Sequence, residues 1–305
     1  MKGSATMSRR FYTLDVFTGQ ALTGNPLAVV LDAQGLDDAR LQAIAGEFNL
    51  SETVFVAAPE GAGRRAALRI FTPGRELPFA GHPTVGTAVL LALLDRDGQP
   101  GRLDFDLEEK AGQVPCVVEV LGAGRGRATF IAPRLPERLG DLPDRAILAR
   151  GLGLEVGDIG LGGHEPGIYS AGVPFGCVPL RSREAVTRAR PTGQAFAEAF
   201  KAVGDAYVYC ADPLDPASAW HARMFAPGMG IAEDPATGSA AAAFAGVIMR
   251  FEAPADGDHA FVIEQGDAMG RPSRITLTLE VAGGELRRTR IGGEAVVVSR
   301  GELLM

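Results

Sequence analysis

Hydrophobic and polar positions alternate along many short runs of this chain, and a few segments between these runs have helical spacing. Residues 11–17, 52–57 and 66–71 combine a two-residue period with the β-branched and aromatic content of strands. Residues 37–48 place their apolar side chains on one face of a helix. The same succession of strands around a helix returns in the second half, which ends in strand-like runs such as 274–281.

Two further helices, predicted over residues 81–94 and 235–251, are apolar on every face. A helix that is hydrophobic all round is buried all round. The chain has an ordinary globular composition, 46% hydrophobic and 22% charged, so each helix must run through the middle of a domain. The pattern predicts an α+β fold in which curved, mostly antiparallel sheets wrap around central buried helices, rather than a parallel βαβ arrangement.

Similar sequences precede the two buried helices, which indicates an internal duplication. Arg69, Phe71, Pro73 and Gly74 correspond to Arg223, Phe225, Pro227 and Gly228, and His82-Pro83 corresponds to Asp234-Pro235. A repeat of about half the chain indicates two equivalent, pseudo-symmetric domains. We predict an N-terminal repeat domain over 1–132, a linker region over 133–161 and a C-terminal repeat domain over 162–290. The terminal strand, 291–305, can return to the N-terminal domain.

Composition and charge narrow the classes of function. A net charge of −7 and a pI near 5.3 argue against a nucleic-acid partner, because phosphate contacts need a basic face. The three cysteines form no disulfide framework, which fits a cytoplasmic protein. No apolar run reaches the roughly 18 residues of a membrane span, and no secretory signal is visible. Met1 and Met7 both fit as the start of the chain.

The polar starts of the two buried helices are the first candidate site. Pro83 and Pro235 suit the first helical position, so His82 and Asp234 are predicted as the N-caps. Free N–H groups at a buried helix start need partners, and an anion can supply them. The residues alone leave two alternatives open: Asp234 as a simple cap and His82 as a structural, hydrogen-bonded histidine.

Glu52 is the second candidate, because it enters an apolar strand. A carboxylate beside apolar surface tends to have a raised pKa, which suits acid–base work, and a solvated glutamate is the alternative. The four histidines lack zinc-ligand spacing, and no phosphate loop, dinucleotide fingerprint or nucleophile elbow is present. The residues predict proton transfer on a small carboxylated molecule, with no metal and no cofactor.

Several motifs together resemble one family. They are Asn25-Pro26, Ser51-Glu52-Thr53, the segment 79–84, the segment 233–240 and Gln265-Gly266. In this order they are similar to the PhzF-like family of phenazine biosynthesis, over nearly the whole chain. The resemblance implies a diaminopimelate-epimerase-like fold and a cofactor-independent isomerase that forms a homodimer. It also implies an active site in the cleft where the two helix starts meet.

The resemblance further implies a role for each candidate residue. Glu52 would move a proton between two substrate carbons, assisted by the polar residues His82, Asp234 and Ser239. The substrate-binding residues would be Gly81, Thr237 and Gly238. Racemases of this fold use a cysteine at each helix start, and this chain has none there, which excludes a two-thiol mechanism. A lyase or hydratase, a tautomerase and a non-catalytic binding protein stay open as alternatives.

Overall fold

A computed structural model describes residues 8–305, apart from the side chain of Met229. The alternatives Met1 and Met7 for the start of the chain lie outside these residues. Contacts divide the described chain into two compact units: unit 1 comprises residues 8–130 and 294–305, and unit 2 comprises residues 131–293. Across residues 8–305, no helix is both long and apolar enough to cross a membrane.

Unit 1 combines a mixed sheet with two helices. Antiparallel pairs dominate, and the pairs β2–β3 and β4–β6 are parallel. In chain order the elements are β1 (Ser8–Val16), β2 (Asn25–Val30), α1 (Asp38–Phe48), β3 (Glu52–Ala57), β4 (Arg64–Phe71), β5 (Glu76–Leu77), α2 (Gly81–Asp95), β6 (Gly101–Glu109), β7 (Gly112–Gly122) and β8 (Arg125–Ile131).

Unit 2 is also a mixed sheet with helices, and its parallel pairs are β11–β12 and β13–β15. In chain order the elements are β9 (Glu137–Asp141), α3 (Arg145–Leu152), β10 (Gly167–Ser170), β11 (Pro174–Pro179), α4 (Arg183–Arg188), α5 (Gln194–Ala199), β12 (Ala206–Cys210), β13 (Trp220–Ala226), β14 (Ile231–Asp234), α6 (Gly238–Phe251), β15 (Gly257–Gln265), β16 (Ser273–Ala282) and β17 (Glu285–Leu304). Short 3-10 helices cover Val156–Asp158, Pro227–Met229 and Asp267–Met269.

Each parallel pair is connected through helix, because parallel strands need a long crossover. In unit 1, α1 lies between β2 and β3 along the chain, and α2 lies between β4 and β6. In unit 2, α4 and α5 lie between β11 and β12, and α6 lies between β13 and β15. The expectation of an arrangement without βαβ units is therefore wrong for these pairs. Strands such as β12 and β13 are buried at every residue, including His221 and Arg223 of β13, as expected where both faces of a sheet are covered.

The predicted burial of the two repeat helices is confirmed for α2 and nearly so for α6. α2 is buried at every residue from 81 to 93, and it packs against β1, β2, β3 and β7. α6 is buried except at Ser239, Gly246 and its last residues, and it packs against β9, β10, β11 and β16. Each fully buried leucine or valine of these helices contributes about 1.5–3 kcal/mol to the stability of its unit.

The segment 133–161, which the sequence favoured as a linker, forms ordered structure within unit 2. β9 pairs with β10, and α3 buries Leu148 and Leu152 in a cluster with Val178 and Phe200. Burial of the apolar face of α3 packs the segment 133–161 against the core of unit 2. At the other end of the chain, β17 pairs with β16 through residue 292 and with β1 from residue 295 onward.

Gly86 in α2 provides a test of this packing. A Cβ added there would lie 2.6 Å from Cδ2 of Leu27 and 2.7 Å from Cγ2 of Val16. We expect Gly86→Ala to lower the free energy of unfolding by about 1–3 kcal/mol through overpacking. Gly46→Ala in α1, where the added Cβ meets nothing within 4 Å, is the control and should raise it by about 0.5–1 kcal/mol. Urea unfolding measures both, and a gain for Gly86→Ala would contradict the packing.

Candidate active site

The start of α2 in unit 1 brings Gly81 and His82 beside Glu52, the first residue of β3. The N-cap of α2 is Ala80, whose extended backbone (φ −153°, ψ 135°) lets the helix begin at Gly81. The prediction of His82 as the N-cap is therefore wrong, because His82 lies in the first turn. Ala80 offers no capping side chain. The first N–H groups of a helix have no acceptor within the helix, so this helix start offers donors to an anion.

Glu52 and His82 contact one another at this helix start. The Glu52 side chain is 14% exposed, and its Oε2 lies 3.5 Å from Nδ1 of His82. The side-chain nitrogen of Asn25, the first residue of β2, lies 3.4 Å from the same imidazole nitrogen. β2 and β3 run parallel side by side, so their first residues share one end of the sheet. The sequence indicates Asn25 only as part of a turn and a family motif, and the structure adds it to the site.

His82 is a neutral imidazole. Burial lowers its pKa to about 3, and a hydrogen bond to the backbone of Pro26 acts in the opposite direction. The contact with Glu52 is therefore not an ion pair at neutral pH. His82 is 4% exposed, and its Nε2 has no hydrogen-bond partner among residues 8–305. A neutral imidazole can offer such a nitrogen to a ligand as donor or acceptor.

Glu109 is a second carboxyl group near the start of α2, and sequence analysis missed it. It ends β6, is 5% exposed, and its Oε1 lies 2.7 Å from Oγ1 of Thr84. Burial raises the pKa of Glu109 to about 8, while the hydrogen bond with Thr84 acts in the opposite direction. The alternation of β6 carried a signal, because Glu109 shares the inward face of that strand with the buried Leu107.

In unit 2 the structure brings Asp234, Thr237, Gly238 and Ser239 together before and at the start of α6. The helix begins at Gly238 with Thr237 as its N-cap, so the prediction of Asp234 as the cap is wrong. Asp234 instead ends β14, and the residues after it do not yet form helix. The Asp234 carboxylate is buried and accepts a hydrogen bond of 2.5 Å from Oγ1 of Thr237. Ser239 is half-buried in the first turn.

Gln265, fully buried at the end of β15, holds the segment between β14 and α6. Its Nε2 donates to the carbonyl oxygen of Asp234 at 2.7 Å and to Oγ1 of Thr237 at 3.0 Å. Its Oε1 accepts from the backbone N–H of Thr237 at 3.2 Å. Gly266 follows with φ +82°, and a Cβ there would lie 2.6 Å from the carbonyl oxygen of Pro235. Residue 266 must therefore be glycine, because a side chain there would clash with the backbone of the segment between β14 and α6.

One group of side chains in unit 2 has the spacing of cation ligands. Ligand atoms of His221, Glu264 and Asp267 lie within 4.8 Å of one another. The two oxygens of Glu264 already accept backbone N–H groups, from Leu214 at 2.6 Å and from Asp215 at 2.8 Å. These bonds fix the loop before β13, and we assign Glu264 this structural role.

Each helix start thus carries its own chemistry. Unit 1 offers the Glu52 carboxylate beside the neutral His82 imidazole and the first N–H groups of α2. Unit 2 offers the Asp234 carboxylate, the Thr237 hydroxyl and the first N–H groups of α6. A carboxylate next to a neutral imidazole suits general acid–base catalysis, and helix starts suit the binding of a carboxylate ligand.

Comparison with known proteins gives consistent results. The family model described as "Phenazine biosynthesis-like protein" matches residues 14–301. An uncharacterised isomerase of Mesorhizobium japonicum is 49% identical, covering 98% of this chain and 99% of the relative. The trans-2,3-dihydro-3-hydroxyanthranilate isomerase of Pseudomonas aeruginosa is 34% identical, covering 96% of this chain and 98% of the relative.

Solved structures agree with these sequence matches. A phenazine biosynthesis protein of the PhzF family from Bacillus anthracis matches with a TM-score of 0.87 at 28% identity, over 98% of this chain and all of that one. A hydroxyproline epimerase from Agrobacterium vitis matches with a TM-score of 0.63 at 12% identity, over 98% of this chain and 93% of that one. The second match, at this low identity, supports the fold alone.

The neutral state of His82 predicts a specific dependence of stability on pH. The folded-state pKa of about 3 lies below the ordinary value of 6.5, so the unfolded chain binds more protons between these pH values. The contribution of His82 to the free energy of unfolding is therefore lost as pH falls from about 6.5 towards 3, by at most about 5 kcal/mol.

Chemical denaturation across this pH range measures the effect as the difference between wild type and His82→Gln. We expect that difference to change with pH below about 6.5 and to be constant above it. His259→Gln, at a partly exposed histidine of β15, is the control and should follow wild type. Parallel curves for wild type and His82→Gln would show that His82 takes up its proton at the same pH in the folded and unfolded chains, which would contradict a lowered pKa in the folded protein.

Proposed function

Because the chain belongs to the phenazine biosynthesis-like protein family, we propose that it is a cofactor-independent isomerase of a small carboxylated metabolite. The observation that carries the proposal is the contact between Glu52 and the neutral, buried His82 at the start of α2. The named relatives are isomerases, which supports the reaction class. We propose that Glu52 is the acid–base group of this reaction.

In the proposed reaction, the Glu52 carboxylate takes a proton from one substrate carbon, and the electron pair left behind moves into the conjugated system of the substrate. Glu52 then returns the proton to a different carbon, so the product has the mass of the substrate. The N–H groups at the start of α2, beginning at Gly81, stabilise the negative charge that develops. Electrostatic stabilisation of this kind is usually the largest catalytic effect.

The neutral state of His82 suits this reaction. A cationic imidazole 3.5 Å from Glu52 would stabilise its carboxylate and weaken it as a base. A neutral imidazole leaves Glu52 its basicity and still offers one hydrogen bond to the substrate. His82 is therefore proposed as a substrate-holding group rather than as a second base.

We propose that the start of α6 in unit 2 also binds polar and anionic groups of a substrate. Asp234, Thr237 and Ser239 would hold polar groups of the substrate, and Gly238 would offer its N–H group to the substrate carboxylate. Asp234 shares the Thr237 proton at 2.5 Å, which supports a holding role rather than a second base. Glu52 would then carry the proton.

The name of the Pseudomonas aeruginosa relative suggests the first substrate to test, trans-2,3-dihydro-3-hydroxyanthranilate, at 34% identity. Fold and family do not transfer substrate identity by themselves, so other small carboxylated metabolites belong in the same panel. A hydratase or lyase is distinguished by product mass, since water loss changes the mass and isomerisation does not.

Glu52→Gln tests the proposed role of the acid–base group. Incubated in D₂O with trans-2,3-dihydro-3-hydroxyanthranilate, the wild type should put solvent deuterium into a product of otherwise unchanged structure. We expect Glu52→Gln to lower turnover and deuterium incorporation by at least about 10²-fold, since the amide cannot take the proton. Proton NMR and mass spectrometry measure both.

Two controls accompany this experiment. Glu47→Gln, at an exposed glutamate of α1, should keep the wild-type rate. The urea unfolding curve of Glu52→Gln should stay cooperative, which separates loss of the base from loss of the fold. Full turnover by a folded Glu52→Gln protein would overturn the role given to Glu52.

A further inference from the structure

The hydroxyl of Thr84, in the first turn of α2, makes two close contacts, but its single proton can be donated in only one of them. Its Oγ1 lies 2.7 Å from the carbonyl oxygen of Ala80 and 2.7 Å from Oε1 of Glu109. A carbonyl oxygen can only accept, and a hydroxyl has one proton to donate. If the Thr84 proton goes to Ala80, the contact with Glu109 is a hydrogen bond only when Glu109 itself donates. Both contacts are satisfied together when the Glu109 carboxyl is protonated.

The sequence repeat gives a second, independent argument. Glu109 ends β6 and Gln265 ends β15, and each of these strands follows the buried helix of its unit and pairs in parallel with the strand before that helix. Gln265 donates from Nε2 to Oγ1 of Thr237, and the Thr237 hydroxyl donates onward to Asp234. A glutamine is the neutral analogue of a protonated glutamate. When Glu109 carries its proton, the equivalent strand end of each unit therefore holds a neutral group that donates to a threonine hydroxyl near the helix start, Thr84 in unit 1 and Thr237 in unit 2.

We infer that Glu109 acts as a neutral carboxylic acid, a positioning residue that donates to Thr84, and that its ionisation sets the alkaline limit of substrate binding at α2. This inference rests on the proposed function in one respect, namely that the start of α2 receives the substrate carboxylate. The protonation of Glu109 itself does not depend on the identity of the reaction.

In the described part of the chain, no cationic side chain pairs with Glu109 to compensate a negative charge. Thr84 faces it from α2, and from β7 the nearest titratable group is the Cys116 thiol, whose pKa is raised by burial first and then by Glu109. That thiol donates to the carbonyl oxygen of Val114. The neighbouring Lys110 is engaged by Glu76, and no ion pair reaches Glu109 in the part of the chain described.

Ionisation of Glu109 would have two consequences at the helix start. The carboxylate would draw the Thr84 proton, so that Thr84 could no longer donate to Ala80. A fixed anion beside the first turn would also compete with the substrate carboxylate for the positive end of the helix. With a pKa of about 8 for Glu109, both effects fall at the alkaline edge of the physiological range.

Stability should follow ionisation with a known sign. The pKa of Glu109 is about 8 in the folded protein and ordinarily 4.5, so the folded state binds more protons between these values and loses stability as pH rises through them. The effect of His82 is opposite in sign and ends at about 6.5. Of these two effects, only that of Glu109 operates between pH 6.5 and 8, and it raises the unfolding constant by up to about 30-fold.

Infrared difference spectroscopy of the full chain tests the protonation directly. At neutral pH, wild type minus Glu109→Gln should show the carbonyl band of a protonated carboxylic acid, and that band should titrate near pH 8. The control, Glu119→Gln at an exposed position of β7, should keep the band. Absence of the band from the wild type at neutral pH would overturn the inference.

Unfolding and pH–rate profiles test the positioning role. Glu109→Gln should remain folded, because the amide can still donate to Thr84, and its unfolding constant should not rise between pH 6.5 and 8. On a substrate that the wild type isomerises, the alkaline limb of kcat/KM near pH 8 should move up by more than one pH unit in Glu109→Gln and stay in place in Glu119→Gln. If the alkaline limb of kcat/KM stays at the same pH in Glu109→Gln, the positioning role of Glu109 is wrong.

Gln265→Glu is the reciprocal variant. It should add a second alkaline rise of the unfolding constant, because it places an ionisable group at the corresponding position of unit 2. The infrared and unfolding measurements need no turnover. Loss of the band and of the slope therefore counts against Glu109, whereas their presence in a protein without isomerase activity counts against the proposed function alone.

Discussion

A helix that is apolar on every face can lie only where protein surrounds it, and the rest of each unit follows from this requirement. In unit 1, strands on several sides cover α2, and its residues 81–93 have almost no contact with solvent. The crossovers that carry the chain into and out of such a helix explain why parallel pairs interrupt otherwise antiparallel sheets. Burial of the helix body also decides the environment of its polar start.

A buried helix start creates an electrostatic environment that is unusual for a protein surface. Its N–H groups favour negative charge, while burial disfavours every charge, including that of a histidine. Both effects are visible around α2, where His82 is held neutral and Glu109 is held protonated. Glu52, at the edge of this region and partly exposed, is the carboxyl group best placed to exchange protons with a ligand.

Near both helix starts a threonine hydroxyl is held by a hydrogen bond from a neighbouring strand, but the side chains that hold it differ. Unit 2 uses a permanently neutral donor, Gln265, to hold Thr237 against Asp234. Unit 1 uses Glu109 and Thr84 in its place, and adds the pair Glu52 and His82. This asymmetry between repeats supports one proton-carrying group rather than the two matched groups of a symmetric epimerase.

The sequence by itself determined the family, which the match over residues 14–301 confirms, and the existence of two buried helices. It also predicted the candidate residues Glu52, His82, Asp234 and Ser239, because each stands in a local motif that can be read along the chain, but it did not point to Glu109. The prediction of His82 and Asp234 as the N-caps was wrong. Pro83 and Pro235 each fit a first helical position locally, but the backbone geometry of Ala80 and Thr237 decides where each helix begins.

Only the tertiary structure decided the protonation of the site and the partners of its residues. Asn25, Glu109 and Gln265 reach the helix starts from strands distant in sequence, and no local pattern specifies such contacts. The same holds for the parallel pairs, because strands that are buried on both faces, such as β12 and β13, do not show which strand lies beside them. The charge state of a side chain depends on what surrounds it in three dimensions, which is why the neutral forms of His82 and Glu109 could not be read from the sequence.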